Sequence, residues 1–285
     1  MILITGATGT NGREVVGQLS AKGVRARAMV RKRDGVKLPR TPNVEFVNGD
    51  FDDAPSLDAA LAGVEQAFLL SPSSAGQVAR EANFIRAAKR AGVRHVVKFS
   101  ILGASPDSPS RLIRRHGEAE KVLEDSGIAF TMLRPHYFMQ NLLWYIDDVK
   151  SQGVFYSSLP ETYRHSHVDA RDNAAVAVAA LTEPGHEGKV YHITGSEALT
   201  YREVAEILSR AVGKKVRYDS SRENYATFLK KAGLDAGEVL ELDTRVANGT
   251  GDGSVVTSTI FEITRRQPIR FMQFASDYSQ AFKAT

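Results

Sequence analysis

Three glycines at equal spacing, Gly6, Gly9 and Gly12, follow directly on the apolar run Ile2-Leu3-Ile4-Thr5 and precede a helical pattern. No other feature constrains this chain as strongly. A strand must end, turn within a few residues and enter a helix, and the side-chain-free positions sit where the backbone has least room. Gly6 permits the tight turn. Gly9 lets main-chain N–H groups, with those of Thr8, Thr10 and Asn11, approach a pyrophosphate. Gly12 lets the helix pack closely on the strand. The amino end of that helix adds favourable partial positive charge for an anion.

The same alternation repeats along the first half of the chain. Short apolar runs at 24–30, 44–47, 66–70, 93–100 and 128–133 are separated by helical patterns at 11–22, 77–91 and 111–126. Strands alternating with helices imply βαβ crossovers and a parallel sheet. Gly23, Gly92 and Gly127 punctuate three helix-to-strand passages, as expected of a glycine just past a helix end. The second half is less regular. It reads as an Ala-rich helix at 169–181, a strand at 189–193, a helix at 201–212 opened by a Thr200/Glu203 capping box, and mostly helix from Arg222. Gly249–Gly253 reads as a flexible loop. No Pro/Gly/Ser-rich linker separates the halves, so residues 1–135 are expected to form a nucleotide-binding domain. Residues 136–285 then form a lobe interleaved with its sheet.

Composition excludes several classes. The 285 residues contain no cysteine, which removes disulfides, thiolate metal sites and cysteine nucleophiles. The net charge of +4 is small for a nucleic-acid binder of this size and suits an anionic small ligand at least as well. The longest apolar stretch, 174–181, is far short of the roughly 20 residues needed to span a bilayer. Neither membrane nor nucleic acid is expected as a partner, and a soluble, cytoplasmic protein is.

The glycine spacing resembles the Thr-Gly-x-x-Gly-x-x-Gly turn of extended and atypical short-chain dehydrogenases. Further segments are similar to one branch, the NmrA-like family: Arg31 at the end of the second strand, Gly49-Asp50-Phe51, Ala87-Ala88-Lys89-Arg90-Ala91-Gly92-Val93, Leu133-Arg134-Pro135 with Met139-Gln140-Asn141-Leu142, and Gly185-His186-Glu187-Gly188-Lys189-Val190-Tyr191. Within it the chain most resembles bacterial NADPH-dependent quinone oxidoreductases. The resemblance is good over roughly residues 1–215. It implies an α/β fold, a Rossmann-type doubly wound parallel sheet with a smaller C-terminal α/β substrate lobe. It also implies one of two functions, since the family holds reductases and non-catalytic dinucleotide sensors that act through a protein partner.

The choice of dinucleotide is legible in the residues. NAD readers place Asp or Glu at the end of the second strand, on the ribose 2′-hydroxyl. Here the place reads Met29-Val30-Arg31-Lys32-Arg33, with no acid before Asp34. An arginine there pairs a 2′-phosphate bidentately, so NADPH is expected, with NADH the weaker expectation. Asp50 and Phe51 are adenine-side candidates by the resemblance, although a polar strand end explains them nearly as well. Leu70, Ser71 and Pro72 after the fourth strand, Ser100 after the fifth, and Pro135, Tyr137, Phe138 and Asn141 after the sixth are expected along the carboxyl edge, where such folds bind ligands.

The catalytic face lacks something. Standard short-chain dehydrogenases use Tyr-x-x-x-Lys, and none of the nine tyrosines has a lysine four residues on. Lys121 stands on the right helix, with Gly117 where the tyrosine would be. Lys121 is therefore a candidate for the nicotinamide ribose or a substrate oxygen, and Tyr137 a weak catalytic candidate. His116 falls about 140° from Lys121, at about 100° per residue, on the stripe of Leu112, Ala119 and Leu123. That makes it a core or subunit-contact histidine, and a homodimer fits. A quinone is already a good hydride acceptor, so proximity can supply most of the catalysis without a tyrosine acid. The absent tyrosine thus points to reduction of a quinone-like acceptor or to no chemistry at all. No metal is expected. His165-Ser166-His167-Val168-Asp169 imitates a ligand set but reads as a surface or edge strand, Asp172-Asn173 as a helix cap, and the aromatics Tyr137, Phe138 and Trp144 as partly packing.

Overall fold

The computed structural model describes residues 1–32, 43–246 and 253–283. Arg33, Asp34 and all of the expected loop but Gly253 lie outside them. The strands are β1 (Ile2–Ile4), β2 (Ala26–Val30), β3 (Val44–Asn48), β4 (Gln66–Leu69), β5 (His95–Phe99), β6 (Ala129–Pro135), β7 (Val154–Tyr156), β8 (Arg164–His165), β9 (Lys189–Ile193), β10 (Leu199–Thr200) and β11 (Arg217–Asp219). The helices are α1 (Thr10–Ala21), α2 (Ala54–Leu61), α3 (Gln77–Arg90), α4 (Arg111–Asp125), α5 (Ile146–Gln152), α6 (Ala170–Thr182), α7 (Tyr201–Val212), α8 (Arg222–Lys231), α9 (Ala236–Arg245), α10 (Thr259–Thr264), α11 (Phe271–Asp277) and α12 (Ser279–Phe282). A 3-10 segment, Met139–Tyr145, precedes α5.

Two compact units result. The first holds Met1–Pro135, Ala170–Ile193 and Glu262–Arg265; the second holds the remaining described segments. The first is built on a seven-stranded parallel sheet in the order β3-β2-β1-β4-β5-β6-β9. Because the order reverses between β1 and β4, this is a doubly wound α/β fold with its switch point at the end of the glycine-bearing strand. On one face Leu3, Met29, Leu69, Val96 and Met132 pack with Leu57 and Leu61 of α2, Phe84 and Ile85 of α3 and Leu123 of α4. Helices α1 and α6 pack against each other. Gln18 donates to the Arg171 carbonyl at 2.8 Å and Asn173 to Asn11 Oδ1 at 3.3 Å. Asn173 therefore lies inside α6, fully buried, and does not cap it. Helix α2, too short to announce itself by periodicity, begins with proline in its first turn.

The second unit has an aromatic core. Tyr145 stacks on Phe228 at 4.3 Å and Tyr201 on Tyr218 at 4.5 Å, with Phe271, Phe274 and Phe282 buried among them. Its strands pair only as two-stranded ribbons, β10 with β8 and β11 with β7. The Thr200/Glu203 capping box at the start of α7 is formed in both directions. Leu142 is buried in this core, whereas Trp144 is 51% exposed and stands outside it. No described helix is long and apolar enough to cross a membrane.

Candidate functional site

Thr5 fastens β1 to β4 at the switch point. Its Oγ1 donates to the carbonyls of Phe68 (3.1 Å) and Leu70 (3.0 Å) and accepts from the Leu70 N–H (2.8 Å). Gly6 then turns the chain with φ +61°, and a β-carbon there would stand 2.8 Å from the Leu70 carbonyl oxygen. At Gly12 a β-carbon would meet the Gly6 carbonyl oxygen at 2.1 Å, so helix and turn touch backbone to backbone. Gly9 differs. Its nearest protein neighbour would be a single oxygen at 3.3 Å. Two of the glycines are thus required by the fold, whereas at Gly9 a side chain would crowd only one backbone oxygen.

Gly9 is also the N-cap of α1, with no side-chain cap bond and no acid in the first turn. The leading N–H groups of a helix have no partners within it, and no carboxylate here competes with an anion for them. Thr8 and Thr10 are exposed beside it, and the Thr8 carbonyl accepts from Arg13 Nε at 2.8 Å. Asn11 contributes its backbone only, since its side chain is buried and accepts from Asn173. Arg31 and Lys32 are exposed at the end of β2. Across from them, past the end of β3, Asp50 accepts from the Asp52 N–H at 3.0 Å. The Phe51 ring is buried against Phe84 at 6.0 Å, so packing accounts for that side chain and Asp50 is what remains for a ligand.

The neighbouring strand ends complete the edge. The Ser100 N–H donates to the Leu133 carbonyl at 2.7 Å and the Leu102 N–H to the Pro135 carbonyl at 2.9 Å, joining the ends of β5 and β6. The Ser100 hydroxyl is buried without a hydrogen-bond partner among the described residues. Pro72 is exposed, and Ser71 is buried with its hydroxyl donating to Glu81 at 2.7 Å. Behind it lies a network the residue pattern did not bring forward. Lys98 of β5 and Glu81 of α3 form a fully buried ion pair at 2.5 Å, and Gln77 donates to the same carboxylate at 3.1 Å. Gln77 Nε2 also stands 3.3 Å from a ring nitrogen of His116, whose burial holds it well below the ordinary histidine range. A lysine inside His95-Val96-Val97-Lys98-Phe99 was the available signal, because a charge on a covered strand needs a partner on the covering helix.

Lys121, the candidate for the nicotinamide ribose or a substrate oxygen, lies on α4. Its side chain is 58% exposed and its ammonium is paired with Asp125 one turn along α4. Gly117, expected to share its face, is buried, and a β-carbon there would stand 2.1 Å from the Ser105 carbonyl carbon. Lys121 is thus exposed on α4 while Gly117, one turn before it, is buried.

In the second unit, Tyr137 packs its ring 5.3 Å from His165 and 5.4 Å from His167. Burial raises its hydroxyl above the ordinary tyrosine range, opposed by a hydrogen bond with Asn141, so no phenolate forms there near neutrality. Phe138 bridges Val168, and its carbonyl accepts from the Asn141 N–H at 3.1 Å. The segment expected as a surface or edge strand begins in the two-stranded ribbon, with His165 in β8, but is not on the surface. His165, Ser166, His167 and Asp169 are all buried, because rings from Tyr137, Tyr163, Tyr201 and Phe271 close over the histidines. No metal-ligating cluster of three or more such groups exists among the described residues.

Comparison with known proteins sets this geometry in context. The model of the NmrA-like family matches residues 1–252. An NAD(P)H azoreductase of Xenophilus azovorans is 38% identical over 286 residues, covering 100% of each chain. Quinone oxidoreductase 2 of Escherichia coli (strain K12) is 37% identical over 241 residues, 83% of this chain and 84% of that protein. The crystal structure of the NADPH-dependent quinone oxidoreductase of Escherichia coli complexed with NADPH matches with a TM-score of 0.83 at 32% identity, covering 97% of this chain and 99% of that one.

Proposed function

This chain belongs to the NmrA-like family, and from that premise we propose that it is an NAD(P)H-dependent oxidoreductase, using NADPH to reduce a quinone-like or similar electrophilic acceptor. The observation that carries the reading is the Gly6–Gly12 turn at the switch point, with Arg31 where an NAD reader would carry an acid. The first-turn N–H groups of α1 would hold the pyrophosphate, and the Arg31 guanidinium the 2′-phosphate of the adenosine. When bound, NADPH supplies the hydride, and a solvent proton completes the two-electron reduction of the acceptor.

The nature of the acceptor is argued from what the chain lacks. Without Tyr-x-x-x-Lys, and with Lys121 turned to solvent, no positioned acid stands where carbonyl–alcohol chemistry would want one. An acceptor that is already electrophilic asks only to be held close to the reductant. The azoreductase and the quinone oxidoreductase among the relatives have names that fit this demand.

Calorimetry with both coenzymes, followed by loss of NADPH absorbance against quinones and aryl azo compounds, tests the reading. Arg31→Asp should weaken NADPH by roughly 10- to 100-fold, the value of a charge-assisted contact, while leaving NADH nearly unchanged. Equal losses for both would remove the 2′-phosphate argument. Tight NADPH binding with no turnover of any acceptor would remove the enzymatic one.

A further inference from the structure

Helix α1 opens on Gly9, an N-cap with no side chain, and no carboxylate stands in its first turn. Two places on comes Asn11. Asparagine is among the best side-chain acceptors for the free N–H groups of a helix start. Within the first turn it can also bond its own or a neighbouring backbone N–H. An unrestrained Asn11 amide would therefore compete for the same donors that a diphosphate needs.

Its oxygen is restrained from another helix. Asn173 Nδ2 of α6 donates to Asn11 Oδ1 at 3.3 Å, and both side chains are buried. The donor is an unusual choice for its place. From Ala174 to Leu181 every residue of α6 is alanine, valine or leucine, and all are buried. Asparagine is a poor residue for a helix interior, and a buried amide is costly unless it is bonded. Asn173 Oδ1 has no hydrogen-bond partner among the described residues. What this amide supplies is one N–H, aimed at Asn11. A second tie holds the aim, since Gln18, two turns further along α1, donates to the Arg171 carbonyl at 2.8 Å.

We propose that Asn173 is a positioning residue for diphosphate binding: its Nδ2 occupies the Asn11 side-chain oxygen and so leaves the first-turn N–H groups of α1 open to the phosphates of the coenzyme. The assignment rests on the Gly6–Gly12 turn being a dinucleotide site and deepens that reading. Asn173 acts through Asn11 and does not touch the ligand. Its effect falls on the diphosphate, which NADPH and NADH share, and leaves the choice between them to Arg31.

The test is calorimetry on the whole chain with NADPH, NADH and ADP, the last carrying the diphosphate without nicotinamide or 2′-phosphate. Asn173→Ala should weaken all three by about fivefold, the value of one helix-capping hydrogen bond, with the NADPH-to-NADH ratio unchanged. Adding Asn11→Ala removes the competing acceptor and should restore most of the lost affinity. A residue that merely packs α6 on α1 predicts the reverse, a double variant at least as weak as the single one. That result, or an Asn173→Ala chain that binds ADP as tightly as the unaltered one, would overturn the proposal. Asn173→Leu, which fills the space but cannot donate, should repeat the loss and serves if the alanine variant folds poorly. Hydrogen exchange reads the donors themselves: without ligand, the first-turn N–H groups of α1 should exchange more slowly in Asn173→Ala than in the unaltered chain, and equal or faster exchange counts against the proposal. The parent reading is decided on the unaltered chain. If it binds none of the three ligands, both fall; if it binds them and the variants do not separate as stated, only this inference does.

Discussion

Two buried polar clusters, one in each unit, solve the same problem in opposite ways. Lys98 and Glu81 form an ion pair taken out of water, and donors surround the Glu81 carboxylate: the Lys98 ammonium, the Ser71 hydroxyl and the Gln77 amide. His165 and His167 are no more exposed to solvent than a core residue, yet three of their four ring nitrogens face no partner among the described residues. The protein keeps the second cluster neutral instead. Burial and the neighbouring imidazoles push His165 well below its ordinary range, and burial brings His167 to about 3. A satisfied cluster is a structural part. An unsatisfied one carries a cost to the folded state.

That contrast can be broken by substitution. The largest effect belongs to the ion pair. Lys98→Met should cost about 3–5 kcal/mol of unfolding free energy in urea, because it strands the Glu81 carboxylate in the core. Adding Glu81→Leu should recover most of that loss, and a double variant as unstable as the single one would show that the pair is not self-contained.

The histidines should behave differently. A folded pKa of about 3 for His167 lies below the 6.5 of the unfolded chain, so only the unfolded state takes up a proton as pH falls. Its stability contribution is complete above about pH 6.5 and is lost progressively toward pH 3. Between pH 7.5 and 5.5, a window above the carboxylate range, each such histidine should remove about 1.4 kcal/mol. His167→Phe should flatten the curve by that amount while changing stability at pH 7.5 by less than about 1 kcal/mol. A curve as steep as that of the unaltered chain would mean His167 is charged when folded. The smallest effect is at the surface. Lys121→Ala removes one exposed pair within a helix and should leave the urea midpoint unchanged within error, with KM for NADPH unchanged; a tenfold rise in that KM would place Lys121 in the site.

How much of this could be read in the sequence differs between the units for physical reasons. In the first, most elements, the three-residue β1 and the short α2 aside, are long enough to show their period, and Gly23, Gly92 and Gly127 stop helices with φ of +70°, +76° and +77°. Fold class and the glycine-rich turn were therefore visible. In the second, β8 and β10 are two residues each and β7 and β11 three, below the length at which alternation means anything. The polar run at 165–169 read as solvent-facing because the rings that bury it come from residues 137, 163, 201 and 271. No local pattern carries that information. Lys98 was different, since its strand was recognised and only the demand for a partner was overlooked.

The seven-stranded sheet closes with a strand that arrives late. When residue 135 has left the ribosome, six strands can pair, but β6 still shows an open edge, and Asn11 and Gln18 of α1 lack the helix that later accepts or donates to them. Both are supplied by Ala170–Ile193, after more than thirty intervening residues have been synthesised. A fragment ending at Pro135 is thus an unfinished sheet with an adhesive margin, and nascent chains of that length should depend on chaperones until β9 docks.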